Sequence, residues 1–353
     1  MQDNSLKDFT HDILNIREYI KYIDLANQVE IINRTSDHAA HISFRDLLHS
    51  FGTPKKLFEY KAITISLYGI LEKHIGLWIK EHISQLPKTI LNYNNLPEKL
   101  RNDHFTLSVK LISLISDNKS AKYEHLDRKD ILSKLNSCID NPDNYELNSE
   151  AFYLNSGNLK HSKISEAFNN IDIKLTSKLK VIGQRNEGFL KGHGTNISSR
   201  GDDLFSLIDD LVVRRNDIAH GENIDNILNP SEFSDHIEFL EGYGKAVFQA
   251  LTEKDNQYQA IHLYEKIENV KGIFSHHSVL GFEFKPNKIK KGEHVIIQLQ
   301  DGSFIKKEIL KIERDNVEFD VLWATKNVDI AVDLGTGSGL TKNQSFYIKK
   351  NHE

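Results

Sequence analysis

A chain of 353 residues that is 39% hydrophobic and 27% charged has the balance of a globular protein, long enough for two ordinary domains or for one large domain with an appendage. Its formal charge of -5, with a pI near 6.4, argues against non-specific coating of nucleic acid, so any basic surface has to be local. The single cysteine, Cys138, excludes a disulfide framework and every thiolate zinc site and fits a reducing compartment, which makes the cytoplasm the expected location.

The first residues, "MQDNSLKDFTHD", have neither a basic start nor an apolar core, so no secretory signal is expected. Leu, Ile and Tyr at mixed three- and four-residue spacing predict a first helix over roughly 6–34. A second is predicted over 55–86, where Ile63, Leu67, Ile70, Leu71, Ile75, Trp78 and Ile79 form an apolar stripe that stops before Pro87. Within it "AITISLYGIL" is the most apolar run. Glu72, Lys73 and His74 end that run far short of the ~20 residues a spanning helix needs, so no membrane span is expected. Glu72 itself reads either as an acid that holds an arginine near a cleft or as a helix-surface charge.

Further helices are predicted near 100–117, 127–138 and 162–182, separated by punctuation such as "NPDN" and "NSGN". Residues 174–200, "KLTSKLKVIGQRNEGFLKGHGTNISSR", set Lys174, Lys178, Lys180, Arg185, Lys191 and Arg200 against one acid, Glu187. That stretch is either a solvated helix with its loop or a phosphate-binding patch. The clearest helix runs from Asp202 or Asp203 to about His220, with Leu204, Leu207, Ile208, Leu211 and Ile218 on one side and Gly221 placed as a C-terminal cap. Another begins near Pro230 or Ser231 and continues to about Thr252.

Beyond residue 270 the period changes to two. "EHVIIQLQDGSFIKKEILKIERDNVEFDVLW" alternates apolar and polar residues, with turns at Asp301-Gly302 and Asp315-Asn316, and predicts a small antiparallel sandwich or barrel. The expected organisation is an N-terminal helical segment (1–54), a helical domain (55–255), a connecting segment (256–285) and a small β-domain (286–353).

"VDLGTGSG", Val332 to Gly339, resembles the glycine-rich loop of Rossmann-like methyltransferases. That loop works only when a helix and further strand-helix units complete the cofactor pocket, and only 14 residues follow Gly339. A hairpin tip between two strands is expected instead. His276-His277 has no Asp, Glu or Cys at ligand spacing, so no metal site is expected there.

Chemistry concentrates in "LVVRRNDIAHG", residues 211–221. On an ideal helix Asn216 and His220 lie about 40° apart around the axis, while Arg215 lies about 140° from His220. Histidine can take the proton of a ribose 2′-hydroxyl or give one to a leaving oxygen. Arginine offers a permanently charged fork for phosphate oxygens and for the added charge of the transition state. Asn216 could orient His220 or bind a phosphate oxygen. Read structurally instead, His220 helps to cap the helix and the arginines pair with Asp209, Asp210 and Asp217.

This motif, on a helix in an all-α region and followed by a loop and a long helix, resembles the HEPN superfamily, more narrowly the HEPN nucleases of prokaryotic toxin and antiphage systems. Arg215, Asn216 and His220 match the family signature of an arginine, a polar residue and a histidine four to six residues on; Arg214 also fits at the longer spacing. "YLNSGNLKHSKISEAFNNIDIK" resembles a loop and helix of the same group.

The resemblance covers roughly residues 55–255. It implies a mainly α chain, a HEPN-like helical bundle with the small C-terminal antiparallel β-domain appended. It implies a metal-independent endoribonuclease with no cofactor, in which Arg215, His220 and Asn216 are catalytic. RNA is then held by Arg214, Lys178, Lys180, Arg185 and Lys191. The expected partners are RNA, a second copy of the chain in a homodimer, and an antitoxin or another defence-system protein, with no membrane involved. The β-domain would sense, recruit substrate or hold a partner. The competing reading is a non-catalytic HEPN adaptor that binds RNA, nucleotide or protein in the same cleft.

Overall fold

The computed structural model describes residues 3–33, 39–116, 123–154, 158–185, 202–221, 224, 226–229 and 232–350. They fall into two compact units that interleave along the chain. The first comprises Met1–Ser84, Pro97–Leu135 and Leu147–Ala250; the second comprises Gln85–Leu96, Asn136–Glu146 and Leu251–Glu353.

The first unit is helical. Its elements are α1 (Asp3–Asn33), most of α2 (Ala39–Thr89), α3 (Glu98–Ser116), most of α4 (Arg128–Asp140), α5 (His161–Asn170), α6 (Leu175–Arg185), α7 (Ser206–His220) and the first part of α8 (Phe233–His262). Every third or fourth residue of α2 from Ile63 to Ile79 points inward, and Leu67, Ile75, Trp78 and Ile79 have essentially no exposure. Trp78 is boxed by Phe9 of α1 and Phe248 of α8, edge to face at 5.3 and 5.4 Å. Close approach there depends on Gly244, where a Cβ would fall inside the ring of Phe9; Gly76 likewise faces the ring of Tyr153.

Four helices differ from the sequence expectation. The helix expected at 55–86 begins by Ala39 and runs to Thr89, with Pro54 and Pro87 inside it. Pro87 has no N–H, yet Ile90 N donates to Leu86 O at 2.8 Å and carries the helical pattern past it. The helix expected at 162–182 is two helices, α5 and α6, because Asp172 takes a left-handed conformation, φ 59°, that no helix interior allows. The helix expected to stop near Thr252 continues to His262, since "EKDNQYQAIH" contains no glycine or proline to end it.

Among its described residues the second unit has eleven strands, all paired antiparallel. They are β1 (Tyr264–Lys266), β2 (Val270–Phe274), β3 (Val279–Phe284), β4 (Asn287–Lys290), β5 (His294–Gln298), β6 (Phe304–Glu308), β7 (Lys311–Arg314), β8 (Val317–Phe319), β9 (Val321–Ala324), β10 (Val328–Asp333) and β11 (Ser345–Lys349). The segment 256–285, expected as a connection, therefore holds the end of α8 and three strands. Neighbour orders are β1-β11-β5-β6, β2-β3-β10-β7-β8 and a two-stranded β4-β9. The three sheets share one core, in which Phe282, Ile289, Ile297, Ile312, Leu322, Val332 and Phe346 are buried. Alternation sends Ile296 to the other face of its sheet, where it packs with Ala260, Tyr264 and Phe304.

Asp315 and Asn316, with φ 52° and 64°, form a two-residue hairpin turn of the kind their side chains tolerate, and Gly302, φ 79°, turns the β5-β6 hairpin. The glycine-rich stretch after Val332 is followed by no helix among the described residues. It is not a hairpin tip either, because β10 and β11 belong to different sheets. Leu334 and Leu340 anchor this crossing in the core, and His277 closes it through Nδ1 on Leu340 O at 2.8 Å.

Candidate active site on helix α7

Helix α7 has one buried face, formed by Ile208, Leu211 and Val212, which fixes its rotation in the helical unit. Asp209, at its start, accepts from His161 N at 3.0 Å and so satisfies a donor at the N-terminus of α5. The His161 ring is held by Thr176 Oγ1 at 2.9 Å and by Tyr243 Oη at 3.1 Å, and it stacks on Phe205. Burial pushes the His161 pKa down to about 4, against the pull of Asp209, so this histidine is a neutral clamp between helices. Burial likewise pushes His104 down to about 4; its Nε2 accepts from Asn148 N.

The two adjacent arginines have different environments. Arg214 is tied into the fold: Nε donates to Asp210 Oδ2 at 2.7 Å, and Nη1 donates to Asn226 O at 3.0 Å and to Tyr60 Oη at 3.4 Å. His236 of α8 meets the same Asp210 oxygen at 3.0 Å. Burial works to raise the Asp210 pKa, but the hydrogen bonds from His236 and Arg214 outweigh it and hold the carboxyl below its ordinary value. The ion-pair reading of the sequence thus describes Arg214 and Asp210, while Asp209 serves α5 instead.

Arg215 turns elsewhere. Its guanidinium lies 4.7 Å from the centre of the Tyr68 ring on α2, and Nη1 donates to Asn216 Oδ1 at 3.1 Å. The Asn216 amide is fixed in turn, since Nδ2 donates to Asn158 Oδ1 at 2.7 Å. Asn216 therefore orients Arg215. The rest of the arginine fork meets no acceptor among the described residues and is available to an anion. His220 is the last residue of α7. It is exposed, and Gly221 follows in a left-handed cap with φ 71°, its N–H turned back to Asp217 O and Ile218 O.

The structure thus joins Arg215 to Asn216 and leaves His220 open one turn farther along. It separates Arg214 from them. Lys178, Lys180 and Arg185 stand on α6, with Lys180 exposed and the other two half-buried; Lys191 lies outside the described residues. Tyr68 and Asn158 were not singled out by the sequence: Asn158 sits in the "NSGN" punctuation, and Tyr68 is one more aromatic in an apolar stripe. No group of His, Cys, Asp and Glu able to hold a metal occurs among the described residues, and no described helix is long and apolar enough to cross a membrane.

The sequence profile of the family described as RiboL-PSP-HEPN matches residues 24–253, which contain all of α3 to α7 and this site. The match begins upstream of residue 55 and ends before the first strand. Comparison with curated proteins gave no match.

Proposed function

Because the chain belongs to the RiboL-PSP-HEPN family, a HEPN family, we propose that it is a metal-independent endoribonuclease of a bacterial toxin or antiphage module. The observation that carries this reading is the division of labour between Arg214 and Arg215. Arg214 is consumed by the fold, whereas Arg215 is propped on Tyr68, aimed by Asn216 and otherwise without an acceptor among the described residues.

The chemistry follows from that arrangement. His220 takes the proton of a ribose 2′-hydroxyl; the 2′-oxygen attacks the adjacent phosphorus; the bond from phosphorus to the 5′-oxygen breaks, and that oxygen takes a proton from water while His220 gives its own back to water. The products are a 2′,3′-cyclic phosphate and a 5′-hydroxyl. Arg215 binds the non-bridging oxygens and stabilises the charge that grows on them. In this reading the exposed Lys180 of α6 adds a phosphate contact, while Arg214 holds α7 against Tyr60 and Asp210.

An ideal helix separates Arg215 and His220 by most of a half-turn around its axis, so one phosphate is best served by Arg215 of one chain and His220 of a second. A twofold homodimer with facing α7 helices supplies that pair twice. RNA cleavage is therefore expected to survive EDTA, to leave the cyclic phosphate, and to fail on 2′-O-methylated RNA. Cleavage should also vanish in Arg215→Ala and His220→Ala chains and return when the two are mixed under subunit exchange. Equal cutting of the 2′-O-methylated substrate refutes the mechanism; binding of RNA with no cutting by the parent chain supports an adaptor instead.

A further inference from the structure

The two-stranded sheet β4-β9 presents an aromatic ring and lysines on a face that folding does not use. Ile289, Leu322 and Ala324 fill the core. Alternation then places Lys288, Lys290, Val321 and Trp323 on the opposite face, with Lys288 opposite Trp323 and Lys290 opposite Val321. Trp323 is 70% exposed. Lys288 Nζ sits 4.6 Å from the ring centre and covers one side of an indole that is otherwise largely exposed.

Lysines outnumber acids on these two strands, with Glu283, Glu293 and Asp320 at their ends. The segments "KPNKIKK" (285–291) and "VLWATK" (321–326) hold five lysines and no acid. Lys291 approaches Glu318 and Asp320 at 3.8 and 3.9 Å, and Lys285 acts on the Glu283 carboxyl. Lys285, Lys288, Lys290 and Lys326 form no ion pair among the described residues.

From this juxtaposition we infer that the outer face of β4-β9 is a binding platform for single-stranded RNA, with an unpaired base stacked on Trp323 and phosphates on Lys288 and Lys290. A flat π-surface beside lysines suits any base, because every base has a face to stack and a phosphate beside it. An acidic protein would also find the charge, but it has no particular need of an open indole. The inference rests on the reading that the chain acts on RNA, and it gives the β unit the task of substrate capture.

The protein carries two tryptophans, and Trp78 is fully buried, so quenching of the exposed indole reports on Trp323. The test uses the full chain with His220→Ala, which keeps the RNA intact, titrated with oligouridylate and oligoadenylate of about ten nucleotides. Both should quench the fluorescence. Trp323→Ala should weaken binding about tenfold, Trp323→Phe should weaken it less, and the melting temperature of each should stay near that of the parent. Lys288→Ala with Lys290→Ala should make the salt dependence of binding shallower by about 1.4 in log-log slope. Absence of quenching, Trp323→Ala binding within about twofold of the parent, or equal quenching by a polyglutamate peptide overturns the platform. The readout is binding, so a platform that quenches in a chain that never cuts RNA separates failure of the nuclease reading from failure of this one.

Discussion

Replacing each of the two neighbouring arginines by alanine should give opposite results. The Arg214 side chain is 15% exposed and its carboxylate partner Asp210 39% exposed, so their ion pair is only partly screened by water. Removing Arg214 deletes that pair and strips a donor from Asn226 O and from Tyr60 Oη, a loss of about 2–3 kcal/mol. For a cooperative unit of this size each kcal/mol moves the midpoint by roughly 2–4 °C, so Arg214→Ala should melt about 4–12 °C below the parent. Arg215→Ala loses only the contact of its half-buried guanidinium with the Tyr68 ring and one hydrogen bond to Asn216, about 0.5–1 kcal/mol, which is a shift of no more than about 4 °C. Its cleavage rate should nevertheless fall by on the order of a hundredfold or more, because the phosphate loses its charged donor. Thermal melts followed by circular dichroism, beside cleavage of a labelled RNA, measure both quantities. If Arg215→Ala proves the less stable of the two, or cuts RNA at the parent rate, the assignment of structural and chemical roles to the pair is wrong.

Gly244→Ala should destabilise the helical unit by about 1–3 kcal/mol, since the new methyl must displace the Phe9 ring, and this exceeds the roughly 1 kcal/mol that alanine adds to a helix. Urea unfolding checks it, and pairing the change with Phe9→Leu should recover part of the loss. Acid should weaken the fold in a defined window. His104 titrates near 4 when folded against 6.5 when free, so its contribution is complete above about pH 6.5 and fades as pH falls toward 4, on the order of 3 kcal/mol in all. His161 acts in the same direction, and His104→Gln should flatten the pH dependence of the melting temperature. Asn158→Ala should cost cleavage rate with little change in melting temperature, because its amide holds Asn216, which aims Arg215; an unchanged rate argues that Arg215 needs no such support.

The helical part was readable wherever one residue decides the local conformation. Gly221 ends α7 where a left-handed residue is required, and the apolar stripe of α2 identifies its buried face. The break at Asp172 was hidden because aspartate suits both a helix surface and a left-handed turn, and only the packing of Phe168 and Leu175 selects the second. The extension of α8 was hidden for a related reason: "EKDNQYQAIH" carries no breaker and too weak an apolar period to announce a helix. At the site, Arg215 and His220 could be named from the resemblance of "RRNDIAHG" to the HEPN signature, since their spacing alone fits a capped helix end with surface ion pairs as well. What separates Arg215 from Arg214 could not, since the two side chains are chemically identical and differ only in meeting Tyr68 or Asp210, 147 and 4 residues away in sequence.

The interleaving of the two units bears on how the chain can be made and cut. Gln85–Leu96 and Asn136–Glu146 belong with Leu251–Glu353, and they hold one another in part through Tyr145 Oη on Ile90 O at 2.8 Å. During synthesis these early pieces emerge roughly a hundred residues before the rest of their unit, a wait on the order of 5–20 s at ordinary elongation rates. Tyr145 meets Ile90 O and the Tyr93 ring within these early pieces, so that part of the packing can form before the rest of the unit is made. A fragment that ends at residue 250 would keep Gln85–Leu96 and Asn136–Glu146 without Leu251–Glu353, the remainder of their unit.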